Sequence, residues 1–171
     1  TGLLNRRGLQ QALETWKAQG QSFAILALDI DRFKVINDQH GHAVGDQVIS
    51  HIAEQMRRYS RDGDVLCRNG GEEFLMLLPT TGADDALLTA GRLRQQIAAQ
   101  VLDPVGHASV SVGVAHYPTF DADAEQALRM ADKALYMAKE QGRNRSVTYP
   151  YRRRQPCSGV SSFGPVSTPT M

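Results

Sequence analysis

Apolar positions recur with two periods along this chain of 171 residues. Over residues 5–19, Leu9, Leu13 and Trp16 fall on one stripe at helical spacing, which predicts an opening helix. Phe23 to Leu28 is an unbroken apolar run between Gly20 and Asp29. It is short enough for a strand buried on both faces. Ala43 to Tyr59 returns to helical spacing through Val48, Ile49, Ile52, Met56 and Tyr59. Asp64 to Arg68 and Glu73 to Leu78 predict paired strands around a tight turn at Gly70-Gly71. A further helix is expected over Ala83 to Val101, a strand over "ASVSVGVAHY", a helix from Ala124 to Gln141 that stops at Gly142, and a short strand at "SVTY". A central hairpin with helices between the other strands predicts an α/β (α+β) domain of three layers, with a mixed, partly antiparallel sheet. No internal repeat interrupts this order.

Composition narrows the class. The chain is 42% hydrophobic and 22% charged, ordinary for a soluble globular domain. No apolar stretch approaches the ~20 residues that cross a bilayer, and no signal peptide opens the chain. Cys67 and Cys157 are too few and too far apart for a disulfide framework, so a reducing cytoplasm is expected. The net charge of +1 includes Arg152, Arg153 and Arg154 in a tail that carries no acid. The body is therefore mildly acidic, which argues against nucleic acid as the main partner. From Pro150 the chain is rich in Pro, Ser, Gly and Thr without a period. Residues 1–149 are expected to form the domain, and 150–171 a disordered tail.

Candidate chemistry centres on "RNGGEEF", Arg68 to Phe74, where two glycines run into two glutamates on the rim of a buried strand. Like charges ~4 Å apart cost roughly 4 kcal/mol at an effective dielectric near 20, so a cation or open water is expected beside Glu72 and Glu73. Asp29 and Asp31 end the first strand two residues apart, hence on one face while the strand lasts. Carboxylates gathered there suit Mg²⁺. Each feature alone has a plainer explanation: Asp29 as a solvated strand end, Asp31 as the cap of a short following helix, Gly70-Gly71 as a hairpin turn. Lys139 and Arg143, four apart at a helix end, reach one anion or simply complement the helix dipole. His40 and His42 lack further ligands for zinc, Cys67 reads as a small core residue, and no Gly-Lys-Ser phosphate loop is present.

Taken together these motifs resemble the GGDEF domains, diguanylate cyclases that make cyclic di-GMP from two GTP. "TGLLNRRGL", "LDIDRFKVINDQHGHAVGD", "RNGGEEF" and "ADKALYMAKEQGRN" occur in the family's order over residues 1 to about 148, the signature in its Glu-Glu form. The resemblance implies a five-stranded palm-like sheet similar to adenylyl cyclase. It implies two Mg²⁺ per site, with Mn²⁺ as an alternative, held by Asp29, the Ile30 carbonyl and Glu72, with Glu73 beside them. Glu72 would help deprotonate the 3′-hydroxyl, and Glu73 would share the catalytic site. Asn37 and Asp46 would read guanine. The backbone at Phe33, Lys34, Gly70, Gly71, Lys139 and Arg143 would serve the GTP phosphates, with His42 in the same loop. Arg61 and Asp64 of "RDGD", with Arg92, match the family's product-inhibition motif. A homodimer is implied for catalysis. An upstream sensor or receiver region is expected outside this chain, making it the cytoplasmic output domain of a larger protein, membrane-bound or otherwise. One departure stands out: Asn69 replaces the family's usual aromatic. Two other readings remain open, a weakly catalytic cyclic di-GMP-binding sensor or effector module and a nucleotidyl cyclase with another product.

Overall fold

The structure, a computed structural model, describes residues 2–118 and 123–149. The elements run α1 (Arg6–Ala18), β1 (Phe23–Ile30), α2 (Phe33–His40), α3 (His42–Tyr59), β2 (Val65–Gly70), β3 (Glu73–Pro79), α4 (Ala83–Ala99), β4 (Val101–Leu102), β5 (Gly106–His107), β6 (Val110–Tyr117), α5 (Ala124–Glu140) and β7 (Ser146–Thr148). The main sheet has five strands in the order β2-β3-β1-β6-β7. Strand β1 is antiparallel to both neighbours, and β6 and β7 pair in parallel. This is the expected mixed three-layer architecture.

Every residue of β1 is buried, which is why its sequence shows no alternation. Ala24, Leu26, Leu28 and Ile30 face α3 and α4 through Ile52, Met56, Leu93 and Ile97. Phe23, Ile25 and Ala27 face α1 and α5 through Leu9, Leu13, Leu128 and Leu135. Fully burying one such side chain contributes ~1.5–3 kcal/mol, so the sheet centre is rigid and the strand ends carry the variable chemistry. Helix α5 begins with a reciprocal capping box between Asp123 and Gln126. It lies directly on β6 at Gly113, where a Cβ would overlap the Ala131 carbonyl and the Leu135 nitrogen.

Three local expectations change. The turn between β2 and β3 is centred on Gly71 and Glu72, because Gly70 already pairs with Glu73 after a register shift beyond Arg68. Asp31 does not cap α2. Arg32 occupies that position at φ 54°, without a side-chain cap bond, while the Asp31 carboxylate is bonded elsewhere. Helix α4 ends at Ala99 and Val101 enters the small β4–β5 ladder, which is too short to leave a period in the sequence. Helix α2 is a separate element whose first residue, Phe33, follows a left-handed corner. The expected tail, 150–171, lies outside the described residues.

Candidate active site

The end of β1 and the β2–β3 turn come together at the sheet's rim. Asp29 lies opposite Glu73 in the β1–β3 ladder, and the Ile30 N–H donates to the Glu72 carbonyl at 3.3 Å. Asp29 is only 5% exposed. Its side chain meets Lys139 Nζ at 2.9 Å, delivered by the last turn of α5. Burial pushes the Asp29 carboxyl above its ordinary value of 3.8; Lys139 opposes the rise, and the Glu72 and Glu73 charges add to it. A charged Asp29 therefore depends on positive charge beside it.

The consecutive glutamates diverge. Glu73 opens β3 and accepts from Asn69 Nδ2 at 3.3 Å, whereas Glu72 is half-buried within the turn. Gly70 and Gly71 hold φ of 137° and 49°, and neither has an atom within 4 Å of where a Cβ would sit. Their role is thus conformational, and they leave the turn open. The Gly71 carbonyl accepts from Arg68 Nε and Nη2 at 3.1 and 2.9 Å, which fixes the turn. Among the described residues no three His, Cys, Asp or Glu side chains gather closely enough to form a metal centre by themselves.

A second group lies where α2 packs on α3. Gly45 is buried against Asn37 and Phe33; a Cβ there would overlap Asn37 Oδ1. That oxygen is buried and has no hydrogen-bond partner among the described residues. Asp46 is exposed beside Gly45, and Lys34 and His42 are exposed on the same pair of helices.

Asp31 is a residue whose role the sequence reading missed. Its carboxylate accepts from Ser111 Oγ at 2.6 Å, Ser109 Oγ at 2.7 Å and the Asn144 N–H at 2.9 Å. Arg94 Nη1 holds Asn144 from the other side at 3.1 and 3.2 Å. Arg143 and Asn144 both take positive φ (65° and 44°). Asp31 thus ties the segment carrying Arg143 to the end of β1. The two serines alternating through the apolar run "ASVSV" were the available signal for a buried polar partner.

Arg61, Asp64 and Arg92 share one cavity of about 160 Å³, with Tyr59, Thr80 and Asp85 also in its wall. Asp64 Oδ2 accepts the Arg61 N–H at 2.7 Å. Neither guanidinium makes a hydrogen bond or ion pair among the described residues. The cavity does not adjoin the turn. It sits at the opposite end of the β2–β3 ladder, about 20 Å from Glu73 at ~3.3 Å per residue.

A mixed sheet with acidic residues at one rim, a glycine turn beside them and cations brought in by the last helix defines a palm-like nucleotide cyclase fold. The family model described as "Diguanylate cyclase, GGDEF domain" matches residues 1–145, and the chain belongs to the GGDEF family. It is 40% identical over 149 residues to diguanylate cyclase DgcM of Escherichia coli, matching 85% of this chain and 36% of that protein. It is also 40% identical over 152 residues to diguanylate cyclase DgcP of Pseudomonas aeruginosa, again 85% of this chain but 22% of that protein. The chain thus spans about a third or less of these two relatives. The GGDEF domain of DgcB from Caulobacter crescentus, solved in complex with c-di-GMP, superposes with a TM-score of 0.81 at 31% identity, covering 87% of this chain and 92% of that one. The active GGEEF domain of a diguanylate cyclase from Vibrio cholerae gives 0.81 at 35% identity, covering 88% and 99%. Among the described residues no helix is long and apolar enough to cross a membrane.

Proposed function

We propose that this chain is the catalytic domain of a diguanylate cyclase, condensing two GTP into cyclic di-GMP with release of pyrophosphate. The observation that carries the reading is the buried Asp29 carboxylate, set opposite Glu73 of the signature and paired with Lys139 at 2.9 Å. Asp29, the Ile30 carbonyl, Glu72 and Glu73 are hard oxygen donors. Few carboxylates completed by substrate phosphates is the usual arrangement for Mg²⁺, so these residues fit Mg²⁺ or Mn²⁺, two ions per site. Bound there, such ions activate a 3′-oxygen and stabilise departing pyrophosphate.

The chain's own groups have distinct tasks in this reading. Glu72 accepts the proton of the 3′-hydroxyl as that oxygen attacks an α-phosphorus, and the bond from that phosphorus to pyrophosphate breaks. Lys139, Arg143, Lys34 and the backbone at Phe33, Gly70 and Gly71 hold the phosphates in line for displacement. His42 borders the same loop. Asn37 and Asp46 read the guanine edge, and the unpartnered Asn37 Oδ1 supports this as an acceptor that needs a donor from a ligand. Each site takes one GTP, so two chains face each other as a homodimer. The Arg61–Arg92 cavity, whose two guanidinium groups make no hydrogen bond or ion pair among the described residues, is the proposed site for the product as inhibitor.

Incubation with GTP and Mg²⁺ followed by separation of the nucleotides tests the reading. Cyclic di-GMP and pyrophosphate are expected from the wild type and none from Glu72→Ala. Binding of cyclic di-GMP without turnover would favour the sensor reading, and a different cyclic product would favour another cyclase.

A further inference from the structure

Asn69 is placed between two charged groups that do not touch each other. Arg6 Nη1, at the first residue of α1, donates to Asn69 Oδ1 at 3.0 Å. Asn69 Nδ2 donates to Glu73 Oε2 at 3.3 Å. A guanidinium only donates and an ionised carboxylate only accepts, so the amide's orientation is fixed by its two neighbours. The ion pair found among the described residues joins Asp29 to Lys139. Among the described residues, the charge of Arg6 therefore reaches Glu73 by hydrogen bonding only through this amide.

The location gives that link a consequence. Strand β2 lies on the far side of β3 from β1, so Asn69 holds Glu73 from the side opposite Asp29. Glu73 adds negative charge at Asp29 on one side and at Asp132 of α5 on another. Left untethered, an exposed glutamate among carboxylates samples many rotamers, and a ligand that orders it has to meet that side-chain entropy. An aromatic ring at position 69 offers no amide for this purpose.

Building on the cyclase reading, we infer that Asn69 is a positioning residue. Anchored by Arg6, it engages Oε2 of Glu73 and pre-orients that carboxylate for divalent cation and nucleotide phosphate. Arg6, Asn69 and Glu73 act as one unit, so the cost of losing any link appears in cation affinity more than in the rate at saturation.

The test is titration of Mn²⁺ by electron paramagnetic resonance into the full chain with a non-hydrolysable GTP analogue. Mg²⁺ dependence of turnover is measured alongside. Asn69→Leu keeps the branched outline without the amide. It is expected to raise the Mn²⁺ dissociation constant and the half-saturating Mg²⁺ concentration three- to tenfold, with less than a twofold change in kcat. Arg6→Ala should shift both in the same direction, the double variant should be no worse than Asn69→Leu, and Asn69→Gln should recover part of the loss. In a Glu73→Gln background, Asn69→Leu should produce no further shift. Wild-type Mn²⁺ affinity in Asn69→Leu, or an equal shift in the Glu73→Gln background, overturns the inference. Asp29→Asn serves as the control. Loss of Mn²⁺ binding there alongside an unaffected Asn69→Leu rejects the positioning role alone, whereas unchanged binding in Asp29→Asn rejects the metal site itself.

Discussion

Lys139 and Asp29 join the penultimate residue of α5 to the penultimate residue of β1 through a contact of 2.9 Å. The pair sets a pH dependence. Burial, the largest influence, raises the Asp29 carboxyl above 3.8, and Lys139 holds it down. Because the folded value is raised, the folded protein binds this proton more tightly than the unfolded chain. The resulting stability is fully present below pH 3.8 and is lost as pH rises through the folded value. In the proposed mechanism activity needs the carboxylate, so it is expected to run the opposite way and fall as pH drops through that value. Asp29→Asn is expected to melt at or above the wild-type temperature at neutral pH while losing activity. Lys139→Met should move the acid limb of the rate profile to higher pH. Melting curves and pH–rate profiles check both.

Base selectivity is expected to rest on Asn37, Asp46 and the space between α2 and α3. In the proposed reading Asp46 accepts from guanine N1–H and the exocyclic amine, a pattern that adenine lacks. Sites built on such bonds discriminate by roughly 10⁴. Gly45→Ala probes that space: its Cβ would overlap Asn37 Oδ1 and force Asn37 to shift, which opposes the gain of about 1 kcal/mol that alanine has over glycine in a helix interior. We expect at least a tenfold loss in kcat/KM for GTP from Gly45→Ala, and a loss of GTP preference from Asp46→Ala. Comparable use of ATP by the wild type would exclude this assignment.

Legibility in the sequence followed burial. Strand β1 and helices α1, α3 and α5 were readable because a continuous core dictates their apolar positions, and α5 is further fixed by its capping box. The β2–β3 turn was misplaced by one residue because a register shift beyond Arg68 leaves no compositional mark. Asp31 was misread because its three donors come from residues 109, 111 and 144, contacts that only the folded chain creates. Asn69 was visible as a departure from the family's habit, but its partners, Arg6 and Glu73, lie on different elements.

Catalysis is expected to need two chains. One site of this kind holds one GTP, and the two-fold symmetry of the product calls for two α-phosphates attacked in antiparallel fashion. Specific activity should rise with protein concentration, followed by light scattering and rate measurements over a hundredfold range. A monomer with constant activity per milligram across that range would exclude the two-chain mechanism.

Product is expected to inhibit from the Arg61–Arg92 cavity by favouring an arrangement in which two active sites cannot face each other. Cyclic di-GMP carries two phosphates and two guanines, enough to bridge Arg61 of one copy and Arg92 of another. Arg61→Ala should raise the product concentration for half inhibition at least tenfold with an initial rate within twofold of wild type. Equal inhibition of both proteins would reduce "RDGD" to a turn.

The β2–β3 ladder carries the signature turn at one end and the arginine cavity at the other. Between them β3 runs buried and apolar from Phe74 to Leu78, hydrogen-bonded to a strand on each side, and a strand packed in this way is not continuously deformable. In the proposed inhibition, information from the cavity leaves the domain and returns through another copy. The same separation makes the two ends independently editable. Substitutions that silence the rim leave the cavity standing, and substitutions that fill the cavity leave the rim intact. Under the proposed function, one fold thus serves as a writer of the second messenger, a reader of it, or both, and the choice rests on a few side chains at either end.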